Sequence, residues 1–293
     1  MRPVNTRVFA PAKVNLTLHV TGQRDDGYHL LDSLVVFTNV GDVLTVTLGR
    51  DDGLSVTGPF ASDVPTGQEN FIRKVAELYR FDASLSFQLE KNLPVASGIG
   101  GGSADAGACV RALYALAGDQ PLPDVTALTA IGADLPMCVS SVPARVGGIG
   151  ELIDPIPDLP VVSLVLINPG VPVETPAVFK ALRSRTNPPM MRFPGPGAEF
   201  IGWLADQRND VQAAAITVAP TVRLVLEALA SSKGCRLARM SGSGATCFGI
   251  FDNDAAAQLA AAELSSASPQ WWVACARTDG HTRAAPQVIR STT

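Results

Sequence analysis

The stretch Pro94-Val95-Ala96-Ser97-Gly98-Ile99-Gly100-Gly101-Gly102-Ser103-Ala104-Asp105 lies between an alternating segment that ends at Leu89 and a helical pattern that begins at Ser103. Four glycines in five residues remove the Cβ atoms that would keep a ligand away from the backbone. The first amides of a helix have no intrahelical acceptor, and the helix dipole favours an anion there. The stretch therefore predicts a phosphate-binding loop, and a polyphosphate fits its chemistry.

A glycine cluster also has plainer explanations. It could be a flexible loop, or a simple helix start with Ser103 as the N-cap. Two well-known phosphate motifs do not match. No Gly-Lys-Ser/Thr closes the loop as in a Walker A motif, and the glycines break the G-x-G-x-x-G spacing of dinucleotide-binding folds.

The rest of the first half mixes strand and helix patterns. Polar and apolar residues alternate over 13–20, which predicts a half-buried strand with its polar side chains on one face. The same alternation predicts strands at 43–48 and 84–89. Apolar residues at three- and four-residue spacing predict an amphipathic helix over 71–79, and the stretch 103–116 predicts a buried helix.

The composition changes at D-P-I-P-D-L-P, residues 154–160, where three prolines predict a junction between domains at 1–156 and 157–293. Strands and helices mix in both halves without strict βαβ order, which favours an α+β fold. The elements predicted beyond the junction are strands at 161–167 and 247–251, helices at 198–206, 220–231 and 255–264, and a proline-rich loop at 187–197.

The overall composition narrows the class of protein. The chain has 293 residues with 46% hydrophobic and 17% charged residues, which is an ordinary globular balance. Its formal net charge of -4 shows no basic excess, so we expect no nucleic-acid partner. The five cysteines have no C-x-x-C pair, which favours reduced thiols. No signal peptide and no long apolar run are visible, so we expect a cytoplasmic protein without membrane contact.

P-V-A-S-G-I-G-G-G-S-A-D-A closely resembles the phosphate loop of the GHMP kinases, which include kinases for galactose, homoserine, mevalonate and phosphomevalonate. The triple glycine before serine is most similar to members that act on a diphosphocytidyl substrate, whose loop runs P-x-x-x-G-L-G-G-G-S-S-D-A. The sequence departs at Ile99 and at Ala104, which replaces a serine that often contacts phosphate or metal. The resemblance implies that ATP is bound by Pro94, Val95, Ala96, Ser97, Gly98, Ile99, Gly100, Gly101, Gly102, Ser103 and Ala104.

Two stretches near the N-terminus continue the resemblance. A-P-A-K-V-N-L at 10–16 is similar to the family's first motif, which implies a catalytic Lys13 and a substrate-binding Asn15. By itself it could be a solvated strand face. R-D-D-G-Y-H ending at His29 resembles a segment of the diphosphocytidyl kinases, in which Tyr28 would stack on cytosine and His29 would hydrogen-bond the base. By itself it could be a turn with an aromatic anchor.

G-A-D-L-P at 132–136 resembles G-A-D-V-P, which carries the family's candidate catalytic aspartate, here Asp134. A bare aspartate in this context could simply cap the next helix. M-S-G-S-G-A-T-C-F at 240–248 is similar to the family's third motif, a second glycine loop that closes the active site.

The segment 168–179 resembles the P-G-x-x-x-x-T-x-x-x-F stretch of the same kinases. The resemblance implies that Thr175 lines the substrate pocket and that Phe179 closes the cytosine sandwich opposite Tyr28. A helix start with Thr175 as N-cap and a core phenylalanine would also explain the pattern, and both can hold together. Asn209-Asp210 matches a short pair that begins a helix there, for which we expect a structural role.

The resemblance covers 10–248 in order and implies a two-domain GHMP kinase fold, with an N-terminal ribosomal-protein-S5-like domain and a C-terminal ferredoxin-like domain. It implies transfer of the γ-phosphoryl group of ATP, with Mg²⁺, to the C2 hydroxyl of 4-diphosphocytidyl-2-C-methyl-D-erythritol in non-mevalonate isoprenoid synthesis. Asp134 would accept or orient the hydroxyl proton, and Lys13 would offset charge on the moving phosphoryl group. The metal ligands stay open, and we expect a monomer or weak homodimer.

Other functions compete with this one. Another GHMP kinase, for homoserine or a mevalonate derivative, would share the phosphate loop but has no need of R-D-D-G-Y-H. A catalytically silent nucleotide sensor would not need Lys13 and Asp134. A dinucleotide oxidoreductase would need a glycine spacing that the loop lacks.

Overall fold

The computed structural model of the protein describes residues 4–49, 53–118, 120–195 and 199–290. Its strands, in chain order, are β1 (Val4–Asn15), β2 (His19–Gln23), β3 (His29–Leu48), β4 (Gly53–Thr57), β5 (Leu85–Glu90), β6 (Ala144–Gly148), β7 (Leu152–Pro155), β8 (Ser163–Asn168), β9 (Cys235–Met240), β10 (Cys247–Phe251), β11 (Trp272–Arg277) and β12 (Gln287–Arg290). Its helices are α1 (Phe71–Ala76), α2 (Gly101–Ala117), α3 (Val125–Ile131), α4 (Leu135–Ser140), α5 (Thr175–Lys180), α6 (Phe200–Ala205), α7 (Gln212–Val218), α8 (Thr221–Ser231) and α9 (Asp254–Ala267).

The first sheet is organised around the long strand β3. Its main path runs β12-β1-β3-β5-β4, and β2 and β6 also pair with β3. All of these pairs are antiparallel except β4 with β5. The register of β1 on β3 shifts between Pro11 and Lys13. This irregularity lies directly before Lys13 and Asn15, the two polar residues at the end of β1.

The second sheet is antiparallel, in the order β11-β8-β10-β9. Helices α7, α8 and α9 contribute buried side chains to the core on it, including Val222 and Val225 of α8 and Ala257 of α9. A separate core lies between the first sheet and helices α1 and α2. The mixture of largely antiparallel sheets and helices confirms the predicted α+β class.

A third apolar cluster joins the two halves of the chain. It contains Leu16 and Leu34 from the region of the first sheet and Leu164 and Phe248 from the second sheet. The end of β1 is therefore fixed against both sheets. This matters because the polar residues of the candidate site lie at that end.

The strand predicted over 13–20 is wrong in two respects. β1 ends at Asn15, β2 begins at His19, and the residues between them form no strand. The predicted polar face is also not solvated. Carbonyl and carboxylate oxygens from later in the chain cover it: His19 Nδ1 lies 3.3 Å from the Pro188 carbonyl, and the Val20 amide donates to Asp210. The buried polar side chains are Lys13, Asn15, Thr17 and His19.

The other predicted elements are present with shifted ends. The strands predicted at 43–48, 84–89, 161–167 and 247–251 correspond to the end of β3 and to β5, β8 and β10. The helix predicted over 71–79 ends at Ala76. The helix expected from Ser103 starts at Gly101, with Gly100 as its N-cap at φ +64°, so Ser103 is not the cap. The predicted helix at 198–206 corresponds to α6, and Pro196, Gly197 and Ala198 lie outside the described residues.

The cysteines and the apolar character of the helices are both subjects of predictions from composition. All five cysteines are free, and Cys109, Cys138 and Cys247 are buried, which agrees with reduced thiols that pack as small apolar groups. Among the helices of the described ranges, none combines the length and apolar character that crossing a membrane requires.

Gly107 of α2 allows α2 to contact α4, and Gly107→Ala should destabilise the fold. An added Cβ would lie 2.4 Å from the Cys138 carbonyl oxygen, and that backbone cannot move aside easily. We expect the free energy of unfolding to fall by roughly 1–3 kcal/mol. Urea denaturation followed by circular dichroism measures it.

Gly202→Ala is the matched control, because Gly202 is also helical and an added Cβ there meets nothing within 4 Å. This substitution should leave stability unchanged or raise it by up to about 1 kcal/mol. Equal destabilisation by both substitutions would show that the close approach of α2 and α4 is not the reason.

Candidate active site

A buried ammonium and a partly exposed carboxylate form the centre of the candidate site. Lys13 Nζ lies 2.8 Å from Asp134 Oδ2 and 2.9 Å from Asn15 Oδ1. The Lys13 side chain is 6% exposed and the Asp134 side chain 38%, so only the carboxylate reaches solvent. An ammonium this deeply buried requires such partners, because an unpaired buried charge is costly.

Asp134 does not act as the helix cap that its sequence context also allowed. It occupies the N-cap position of α4, but its side chain accepts no hydrogen bond from that helix. Its carboxylate pairs with Lys13 instead. The carboxylate is therefore available to a molecule that enters from the solvent side.

The predicted phosphate loop packs on this ion pair. The Lys13 amide donates to the Ile99 carbonyl at 2.9 Å. A Cβ atom on Gly100 would lie 3.1 Å from Lys13 Cε and 3.8 Å from Asp134 Oδ2, so glycine is required for this approach. The N-terminus of α2 thus lies beside both charged groups. The Ala104 amide donates to the Gly100 carbonyl within the helix, and by helix geometry the amides of Gly101 and Gly102 have no intrahelical acceptor.

The second glycine loop, residues 240–248, packs against the predicted phosphate loop. A Cβ on Gly98 would lie 2.6 Å from the Gly244 carbonyl oxygen and 2.7 Å from that of Ser241. The Thr246 amide donates to the Ser97 carbonyl, and Ser241 Oγ donates to the Gly98 carbonyl. The two loops are therefore in contact through backbone groups, and the closing of the active site by the second loop stays a prediction.

Asn15 is fixed by bonds on both sides of its amide. Its Nδ2 donates to Ser33 Oγ at 2.8 Å, and its Oδ1 accepts from Lys13 Nζ. Its backbone amide donates to Ser241 Oγ at 3.0 Å. Ser33 Oγ in turn donates to the Thr17 carbonyl. This network sets the direction in which the Lys13 ammonium is held.

The predicted base-binding residues lie at one edge of the molecule. Tyr28 is 60% exposed in the turn between β2 and β3. The rings of His29 and Phe179 lie 4.8 Å apart between centroids, tilted by 34°. Burial and the nearby Arg185 lower the pKa of His29, so its imidazole is neutral near pH 7. The buried Nε2 of His29 has no hydrogen-bond partner in the described part of the chain.

Thr175 connects this edge to the second glycine loop. Its Oγ1 lies 2.7 Å from Ser243 Oγ, within the loop that supports Gly98. The N-cap of α5 is Glu174, one residue before the position that the sequence suggested, and Thr175 is the first helical residue. Asn209 also supports the loop, because its Nδ2 donates to the carbonyls of Met240 and Gly242. That agrees with the structural role expected for Asn209.

A cavity of about 180 Å³ adjoins the outer side of the phosphate loop. Its walls are mainly apolar. If phosphates were bound at the loop, a flat apolar group joined to them could occupy this cavity. Its lining residues are Val64, Pro65, Phe71, Val95, Ala96 and Gly102, together with the polar Glu69, Asn70, Lys91 and Asp105.

Sequence reasoning missed a buried ion cluster beneath the loop. Lys91 Nζ lies 2.6 Å from Asp42 Oδ2 and 2.6 Å from Asp105 Oδ2. All three side chains are 5% exposed or less. The only sequence signal was the position of Lys91 and Asp105 on either side of the loop.

The described residues include no group of three or more His, Cys, Asp or Glu side chains that could hold a metal ion. Mg²⁺ commonly keeps several waters and binds through substrate phosphates with one or two carboxylates. The site offers one partly exposed carboxylate, that of Asp134, which fits the one or two carboxylates that such an ion takes.

Comparison with known proteins identifies the relatives of this chain. The family profile described as GHMP kinases N terminal domain matches residues 70–147, and the one described as GHMP kinases C terminal matches residues 198–270. The 4-diphosphocytidyl-2-C-methyl-D-erythritol kinase of Roseobacter denitrificans is 52% identical over 277 residues, which cover 92% of this chain and 93% of that protein. The kinase of the same name from Cereibacter sphaeroides is 50% identical over 279 residues, 94% and 100% of the two chains.

Solved structures agree with these matches. A crystal structure of 4-(cytidine 5'-diphospho)-2C-methyl-D-erythritol kinase has a TM-score of 0.77 and 32% identity, covering 92% of this chain and 98% of that one. A homoserine kinase from Cytophaga hutchinsonii, 19% identical with a TM-score of 0.64 over 97% of both chains, shares the fold. These matches confirm the predicted fold. The domain boundary after residue 156 stays a prediction, because one profile match ends at residue 147 and the other begins at residue 198.

Gly98→Ala should weaken the use of ATP, because an added Cβ would push the phosphate loop off the carbonyls of Gly244 and Ser241. Misplacing a ligand-holding group by about 1 Å can cost a hundredfold, so we expect KM for ATP to rise roughly 10- to 100-fold. Steady-state kinetics with varied ATP measure it.

Gly118→Ala is the control, since Gly118 has a similar φ of +70° against +77° for Gly98 but meets nothing within 4 Å. It shares the backbone strain and lacks the collision. If both variants raised KM for ATP equally, contact between the two glycine loops would not explain the effect.

Proposed function

The chain belongs to the GHMP kinase family, and we propose that it transfers the γ-phosphoryl group of ATP to the C2 hydroxyl of 4-diphosphocytidyl-2-C-methyl-D-erythritol. The observation that carries the proposal is the pair of Lys13 and Asp134, 2.8 Å apart beside the start of α2. The relatives at 50–52% identity that carry the name of this kinase support the choice of acceptor.

Phosphoryl transfer depends mainly on positioning and on neutralising charge. The amides at the start of α2 would hold the β- and γ-phosphates, with the helix dipole favouring the anion. The adenosine end of ATP would occupy the cavity next to Val95 and Phe71. Mg²⁺, when bound with the nucleotide, would offset the negative charge of the phosphates.

The acceptor hydroxyl would approach from the solvent side of Asp134. That carboxylate would accept or orient the proton of the hydroxyl as its oxygen attacks the γ-phosphorus. Lys13 would offset the negative charge that gathers on the phosphoryl group, and Asn15 with Ser33 would hold the ammonium in place. The bond from the γ-phosphorus to the bridging oxygen breaks, and ADP leaves.

The diphosphocytidyl end of the acceptor would lie along the edge formed by the β2–β3 turn and α5. Tyr28 offers an exposed ring on which cytosine can stack, and Phe179 is the proposed opposite face. His29 lies beside Phe179, and its imidazole or the neighbouring backbone would hydrogen-bond the polar edge of the base. Thr175 would line the pocket beside the second glycine loop.

The nearest alternative is a GHMP kinase with a different acceptor. The homoserine kinase match, at 19% identity, is evidence for the fold alone. R-D-D-G-Y-H at 24–29 and the relatives above 50% identity favour the diphosphocytidyl acceptor. Cytoplasmic location and a monomeric or weakly dimeric state stay predictions.

A coupled ADP-release assay tests the proposal. With ATP and Mg²⁺ the protein should release ADP with 4-diphosphocytidyl-2-C-methyl-D-erythritol but not with homoserine or mevalonate. Asp134→Asn should lower turnover by at least roughly a hundredfold, the scale of general-base loss, while ATP binding persists.

Asp82→Asn serves as the control for that substitution, because it makes the same exchange at an exposed aspartate that is not among the candidate site residues. Turnover of Asp134→Asn close to that of the unaltered protein would refute the role of Asp134. Turnover with homoserine instead would refute the acceptor.

Tyr28→Ala should raise KM for the diphosphocytidyl substrate and leave KM for ATP unchanged, because stacking on an aromatic ring contributes on the order of 1–3 kcal/mol per base. Initial rates at varied acceptor and then varied ATP separate the two constants. Tyr114→Ala removes a different exposed tyrosine, which lies on α2, and should change neither Michaelis constant. An equal rise in both constants for Tyr28→Ala would contradict base stacking.

A further inference from the structure

The buried cluster of Lys91, Asp42 and Asp105 lies where the two stems of the phosphate loop meet. Lys91 precedes the loop, which begins at Pro94, and Asp105 follows its last residue, Ala104. The 2.6 Å contact between Lys91 and Asp105 therefore ties the entry of the loop to its exit. Asp42, on β3, anchors this tie to the first sheet.

The ammonium of Lys91 also lies directly under the first helical turn. A Cβ on Gly101 would lie 3.1 Å from Lys91 Nζ, and the next side-chain atom, Leu93 Cβ, would be 3.8 Å away. Gly101 begins α2, whose first amides are the proposed phosphate donors. The positive charge is thus separated from the anion site by little more than one peptide unit.

The two carboxyl groups of the cluster have unequal surroundings. Asp42 accepts hydrogen bonds from Lys91 Nζ and from the amides of Asn92 and Leu93. Asp105 accepts one, from Lys91, and its buried Oδ1 has no partner among the residues that the structure describes. Hydrogen bonds to the ionised form stabilise a carboxylate, and two carboxylates that share a site oppose each other's ionisation. The proton therefore belongs on Asp105.

The pKa shifts of the titratable groups in and near the cluster agree with a proton on Asp105. Burial raises the pKa of Asp105 well above its usual value, and the carboxyl group of Asp42 adds to that effect. Burial by itself lowers the pKa of Lys91, but its hydrogen bonds to Asp105 and Asp42 raise it overall, so the ammonium persists. Burial raises the pKa of the Cys138 thiol on α4 to about 12, so that thiol adds no charge.

We propose that Lys91 is a positioning residue for the phosphate loop, held between Asp42 and a protonated Asp105. Lys91 fixes the spacing of the loop's stems and keeps a positive charge below the amides of α2. A second ionised carboxylate there would give the cluster a negative charge and oppose the phosphates. The proposal rests on the proposed function, because it assumes that the loop holds ATP.

Calorimetric titration with a non-hydrolysable ATP analogue and Mg²⁺, without acceptor, tests this role. Lys91→Met should weaken binding of the analogue about tenfold or more, since it removes charge-assisted bonds that fix the loop. Asp105→Asn, which resembles the protonated carboxyl, should weaken it by no more than about threefold. Lys233→Met, at an exposed lysine, should match the unaltered protein.

A triple variant, Lys91→Met with Asp42→Asn and Asp105→Asn, separates loop positioning from stability. It leaves no unpaired buried charge, and exchanging a whole buried ion network for neutral groups often preserves stability. We expect a thermal midpoint near that of the unaltered protein, with binding of the analogue still weakened about tenfold or more. Full recovery of binding in the triple variant would overturn the proposal, as would Asp105→Asn weakening binding as much as Lys91→Met.

Titration of the Lys91→Met variant with 4-diphosphocytidyl-2-C-methyl-D-erythritol provides a second readout, which decides the question even if the triple variant does not fold. Acceptor affinity should stay within about threefold of that of the unaltered protein, because Lys91 lies under the nucleotide loop. Equal loss of both ligands would mean general damage and contradict the proposal. Failure of the unaltered protein to bind the ATP analogue would instead refute the proposed function.

Discussion

The ion pair between Lys13 and Asp134 is the constraint on which the rest of the site depends. The ammonium is almost fully buried, so it requires both the carboxylate and Asn15 Oδ1 within hydrogen-bond distance. Lys13 comes from β1 and Asp134 from the start of α4, and a Cβ added to Gly100, the N-cap of α2, would lie 3.1 Å from Lys13 Cε and 3.8 Å from Asp134 Oδ2. The pair therefore fixes where three elements meet. A phosphate bound at α2 and a hydroxyl bound at Asp134 would then be neighbours without any further movement of the backbone.

Close backbone contact explains why glycines surround this pair. Gly98 and Gly100 sit where a Cβ would collide with the second glycine loop or with Lys13, and Gly107 sits where α2 meets Cys138 of α4. Each glycine lets one more segment approach the start of α2. The same closeness leaves room for the Lys91 ammonium beneath Gly101. Positive charge thus lies on two sides of the amides that are proposed to hold phosphate, at Lys13 and at Lys91, and each charge has carboxylate partners.

The sequence predicted those parts of the fold that local patterns determine. The phosphate loop and β10 lie in single stretches whose glycines or alternating residues identify them. The burial of Lys13 and His19 could not be predicted locally, because the atoms that cover this stretch come from distant residues such as Pro188 and Asp210. The sequence did not predict the cluster around Lys91 for a similar reason. Its three members come from separate segments of the chain, and each is an ordinary charged residue in its own stretch.

A crystal structure of the protein with a non-hydrolysable ATP analogue and 4-diphosphocytidyl-2-C-methyl-D-erythritol bound together is the most direct measurement. We expect a γ-phosphate in contact with the amides of Gly101 and Gly102 and with Lys13 Nζ, and a C2 hydroxyl within hydrogen-bond distance of Asp134. Phosphates bound away from the start of α2, or an acceptor hydroxyl out of reach of Asp134, would contradict it.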